Sequence, residues 1–70
     1  MKLSARNVLK GKITKIVPGA VNAEVTIRLR GADEIVSIIT MASVKGLKLK
    51  KGGEAYAVIK ASSVMIGVDH

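Results

Sequence analysis

The stretch AVNAEVTIRLR, residues 20–30, alternates without a lapse. Val21, Ala23, Val25, Ile27 and Leu29 fall on one parity, and Asn22, Glu24, Thr26, Arg28 and Arg30 on the other. That period is a strand with one face on a core and the other in water. Upstream, residues 8–17 read as a first strand, with Gly11, Ile13 and Lys15 on one parity, Lys10, Lys12, Thr14 and Ile16 on the other, and one lapse in alternation. Pro18-Gly19 between the two strands reads as a type II turn, the proline presetting φ and the glycine accepting positive φ.

Downstream, Gly31-Ala32-Asp33 supplies a short hairpin loop. Residues 34–40 follow, with Ile35, Val36, Ile38 and Ile39 β-branched and apolar on both faces, which predicts a strand covered on both sides. Thr40 is placed to cap a short helix over residues 41–46. Lys51-Gly52-Gly53 then turns into a strand over residues 54–60, and residues 64–68 give another, after Ala61-Ser62-Ser63. The sum is an all-β chain of five strands with one short helical connection between the third and fourth. That is the element order of an OB-type barrel, which closes its edges instead of exposing them.

The 70 residues make a single domain, and with 49% hydrophobic and 24% charged side chains the chain is composed to fold. The absence of cysteine excludes a disulfide framework, a thiolate zinc site and a cysteine nucleophile. With no apolar run near a membrane span and no apolar leader in MKLSARN, the expected setting is the reducing cytoplasm, away from membranes. The only histidine is residue 70, and Glu24, Asp33, Glu34, Glu54 and Asp69 form no motif. No catalytic residues and no cation-binding site are expected, and the protein reads as a non-enzyme.

Twelve Lys and Arg against five Asp and Glu give a net charge of +7, which points to an anionic partner. Nucleic acid is one candidate, bound by a basic OB module, but Tyr56 is the only aromatic and is expected to pack into the barrel. Without stacking surfaces, nucleic-acid binding should be weak. A small non-stacking oxyanion is the other candidate. A core of this size supplies only about 3 to 5 kcal/mol by itself, and the high apolar fraction predicts self-association.

Three polar segments border the strands: Ser4-Ala5-Arg6-Asn7, Thr40-Met41-Ala42-Ser43 and Lys60-Ala61-Ser62-Ser63. A tetrahedral dianion is held by fixed charge, hydroxyl donors and unpaired backbone N–H groups. Arg6 and Lys60 offer charge, and Ser4, Thr40 and Ser43 offer hydroxyls. Taken singly, each has a plainer reading: Thr40 and Ser43 cap the helix, Ser4 caps a turn, and Arg6 faces solvent. Lys60 stands out because it interrupts an apolar strand. Lys10, Lys12, Lys45, Lys48, Lys50 and Lys51 read as solubilising surface.

Taken together, SARN with LKG behind it, GAVNAEV, SIIT followed by ASV, and the closing EAYAVIKASSVMIGV resemble the molbindins, the small molybdate-binding Mop proteins. They also resemble the related domains of molybdate-responsive regulators and transporter ATPases. The likeness covers nearly the whole chain, residues 1–70 being a single Mop/TOBE-like domain. It implies an OB-type barrel in a homohexamer, a trimer of dimers, that binds molybdate or tungstate at subunit interfaces for storage or buffering. The ligands it implies are Ser4, Ala5 through its N–H, Arg6, Thr40, Ser43, Lys60 and Ala61 through its N–H. Met41 and residues 45–51 make the third connection more basic than the family pattern.

Overall fold

The structure is a computed structural model and describes residues 3–69. His70, dismissed above as a catalytic base, lies outside the described residues, as do the first two residues of the leading segment. The elements are β1 (Asn7–Pro18), β2 (Asn22–Leu29), β3 (Glu34–Thr40), α1 (Met41–Gly46) and β4 (Glu54–Ile59), followed by a 3-10 turn at Ala61–Ser63. All pairings are antiparallel, in the order β3-β2-β1-β4, and the sheet curls into a half-barrel.

The 12-residue β1 serves two neighbours. Its first half pairs with β4, from Asn7 opposite Ile59 to Lys12 opposite Glu54, and its second half with β2, from Gly11 opposite Leu29 to Pro18 opposite Ala23. The lapse in alternation is a bulge between Ile13 and Lys15, an extra residue that bends the strand so that both neighbours fit one curved sheet. At the bulge Ile13 donates to the Gly53 carbonyl at 2.8 Å and accepts from Gly52 at 2.8 Å, which ties the turn before β4 to the centre of β1. Gly11 permits close approach: a Cβ there would lie 2.5 Å from Ile27 Cγ2 and 2.6 Å from the Arg28 carbonyl.

The concave face is the core. Ile13, Ala23, Val25, Ile27, Val44 and Ala57 are buried, with Ile16, Leu29, Ile35, Ile39 and Leu49 packed around them. Three of them lie on the apolar parity of residues 20–30; Val21, on the same parity, precedes β2 and stays 71% exposed. The helix forms where expected. Thr40 keeps extended dihedrals and its side chain accepts from the Ser43 N–H, while Val44 is the residue α1 buries.

Three expectations are corrected. Gly19 does not take positive φ; what needs glycine there is space, since a Cβ would sit 2.6 Å from the Asn22 carbonyl. Positive φ is found instead at Ala32, 72° in the β2–β3 loop, and at Lys48 and Gly52 before β4. β3 is covered on one face only: it is an edge strand whose Val36 and Ile38 are 58% and 63% exposed. Finally, residues 64–68 form no strand within the chain. After the 3-10 turn the segment pairs with no strand of the sheet, and Met65 and Ile66 are 92% and 87% exposed.

Candidate functional site

Two of the three polar segments meet. Asn7 begins β1, Ile59 ends β4, and the two are paired in register. Asn7 Nδ2 also donates to the Ile59 carbonyl at 3.2 Å. Ser4, Ala5 and Arg6, just before β1, are thereby placed beside Lys60 and Ala61, just after β4. Ala5 is half-buried and the other four are exposed. Arg6 and Lys60 enter no ion pair among the described residues. In the 3-10 turn Ser63 donates to the Lys60 carbonyl at 2.9 Å and Val64 to the Ala61 carbonyl at 3.3 Å. Among the described residues the N–H groups of Ala61 and Ser62 have no such backbone partner, as expected for the first residues of a turn. Ser62 was not singled out above, because its N–H is released by the turn geometry and not by residue type.

The third segment is elsewhere. Thr40 pairs with Asn22, and Met41 donates to the Val21 carbonyl at 2.7 Å, at the end of the sheet where Pro18 pairs with Ala23. Eleven residue steps of β1 separate Pro18 from Asn7, roughly 35 Å of strand at about 3.3 Å per residue. There the capping role holds: Thr40 Oγ1 accepts from the Ser43 N–H at 3.0 Å and donates to Ser43 Oγ at 2.9 Å. The Ser43 hydroxyl keeps its own proton for an outside acceptor. One chain thus gathers a positive, donor-rich corner from Ser4, Ala5, Arg6, Lys60 and Ala61, and holds Thr40 and Ser43 at the opposite end.

Tyr56 is not in the barrel. It lies opposite Lys10 in the β1–β4 register and is 49% exposed. Among the described residues no group of His, Asp or Glu is clustered to hold a cation, and no helix is long and apolar enough to cross a membrane.

The TOBE domain model matches residues 3–66 of this chain. The chain belongs to the TOBE-domain family. This TOBE chain is 54% identical to a probable molybdenum-pterin-binding protein of Haemophilus influenzae, over 99% of its own length and all of that protein. Its fold superposes on MopII from Clostridium pasteurianum in an apo form with a TM-score of 0.91 and 45% identity, covering 96% of this chain and all of that one. It superposes on ModG, described as a cytoplasmic molybdate-binding protein and solved with molybdate bound, with a TM-score of 0.94 and 54% identity. There the match covers 99% of this chain and 49% of the other. The Mop resemblance read from the sequence and the OB-type architecture are thereby established. These relatives are named as binding proteins, not as enzymes.

Proposed function

We propose that this chain binds molybdate, and tungstate by the same chemistry, at interfaces between copies of itself, and stores or buffers the oxyanion in the cell. The observation that carries the proposal is the division of the donor set: Arg6, Lys60 and the Ala61 N–H stand at one end of the sheet, Thr40 and Ser43 at the other. A second copy placed end to end brings the two halves onto one ligand. The likeness to a structure with molybdate bound supports the choice of anion. The three segments contain no carboxylate, so no charged acceptor there favours the protonated oxygen of a partly protonated phosphate, whereas molybdate is a full dianion at neutral pH.

Assembly also accounts for the unpaired tail. The edges of β3 and β4 border a cleft of about 440 Å³ lined by Ile27, Ile35, Val58 and Ile59. The apolar residues 64–68 of a second copy have the length and the side chains to lie along such an edge as the missing fifth strand. The proposed assembly is a homohexamer built as a trimer of dimers.

Light scattering and calorimetry on the purified chain test this. The expected results are a sixfold mass and saturable molybdate binding that tungstate competes for and sulfate does not. Arg6→Ala and Lys60→Ala should each weaken binding by about 2 to 5 kcal/mol, the cost of stripping one charged donor from a desolvated anion. Lys48→Ala should change little. A monomeric mass with an intact fold, or equal losses in all three variants, refutes an interface pocket.

A further inference from the structure

The strand register builds a second basic feature away from the donor corner. On the convex face, Lys12 stands opposite Arg28 on one side and Glu54 on the other, and Arg28 stands opposite Glu34. One row across the sheet therefore reads Glu34, Arg28, Lys12, Glu54. Two residues further along β1 Lys10 stands opposite Tyr56, and Arg30 follows Leu29, the last residue of β2. Neighbouring cations are about 5 Å apart between strands and about 7 Å apart along them by strand geometry. Lys10 Nζ reaches Glu54 Oε2 at 3.1 Å and Arg28 Nη2 reaches Glu34 Oε2 at 3.8 Å. Lys12 and Arg30 have no ion-pair partner among the described residues. Together with Thr14, Leu29 and the Glu54 carboxylate, the four cations line an open hollow of about 620 Å³.

Four like charges at such spacing repel one another, and two carboxylates leave an excess of two positive charges with nothing to balance it. The hollow is far larger than a tetrahedral oxyanion and lies within the roughly 300–1,000 Å³ of small-molecule sites. Carboxylates flank it on both lateral sides, which opposes an extended polyanion crossing the strands and suits a compact one. Tyr56, opposite Lys10 on β4, lines the cleft between β3 and β4 and not this hollow.

We propose that this hollow is a binding site for a compact polyphosphate of di- or triphosphate length. Its phosphates lie between Lys12 and Arg30. The site is independent of the oxyanion site proposed above and uses none of its residues.

The test is titration calorimetry of the full chain with inorganic triphosphate and with ATP at low and at physiological salt. Tyr56 emission serves as a second readout for the non-absorbing triphosphate. Saturable binding of one ligand per chain is expected, weakened at least tenfold in Lys12→Ala/Arg30→Ala and unchanged in Lys48→Ala/Lys51→Ala, which removes the same charge elsewhere. Molybdate titrations should be the same in the wild type and the hollow variants, which separates failure of this site from failure of the other. Should the double variant not fold, Lys12→Gln carries the comparison. No saturable binding, equal losses in the two double variants, or tighter binding of a single-stranded oligonucleotide than of triphosphate at the same salt would overturn the proposal.

Discussion

Replacing Ile13 by alanine should remove a large part of the stability of this chain. Ile13 is 1% exposed, the largest fully buried side chain, and its backbone bonds join β1 to the turn before β4. The substitution deletes three carbon groups. At about 0.8 kcal/mol per buried methylene the transfer loss is about 2.4 kcal/mol. The cavity left behind adds roughly 1 to 2 kcal/mol, because sheet neighbours fixed by hydrogen bonds collapse only partly. A total near 4 kcal/mol is a large share of the stability of a domain this small. At about 4 to 8 °C per kcal/mol the melting temperature should fall by roughly 15 to 30 °C. Ile13→Val, which deletes one group, should cost about 1 kcal/mol. Circular dichroism melts at matched protein concentration measure both, since assembly makes melting depend on concentration. Ile38→Ala, at a site 63% exposed in the chain, is the control. Its effect should be small in dilute protein and grow with concentration if that face is covered by another copy. A fall below about 5 °C for Ile13→Ala, or equal falls for the alanine and valine variants, would refute Ile13 as the centre of the core.

Ala32, at φ 72° in the β2–β3 loop, sits where an L side chain is strained, so Ala32→Gly should raise stability by about 0.5 to 1 kcal/mol in the same melts. Thr40→Val removes the acceptor for the Ser43 N–H and should cost about 1 kcal/mol, with Ser43→Ala costing less. The Lys10 ammonium is held above its usual 10.5 by the hydrogen bond it donates to the Glu54 carboxylate and by that carboxylate's charge, with a lesser contribution from Tyr56. The contribution of this pair to stability is therefore present below about pH 10.5 and is lost as pH rises through the higher folded midpoint. A Lys10 titration followed by NMR should show that raised midpoint, and Glu54→Gln should bring it down.

Several features were legible in the chain because they depend on neighbours in sequence. The parity of residues 20–30 placed Ala23, Val25 and Ile27 in the core. The three-residue reach from Thr40 to Ser43 set the start of α1. Strand identity and capping rest on contacts two or three residues apart, which the local sequence specifies directly. What only the tertiary structure decided depends on groups distant along the chain. Residues 64–68 have the composition of a strand but no edge to pair with inside one chain, and composition does not supply an edge. Gly19 is required by the approach of the Asn22 carbonyl and not by its own φ. The pairing of Asn7 with Ile59 brings Arg6 to Lys60 across more than fifty residues, while the length of β1 keeps Thr40 away from both. Lys10 and Lys12 read as solubilising surface, and Arg28 and Arg30 as the polar face of the second strand, until the folded sheet gathers them around one hollow. Register is a relation between strands, fixed by which faces bury together, so the meeting of those four charges is a property of the folded sheet.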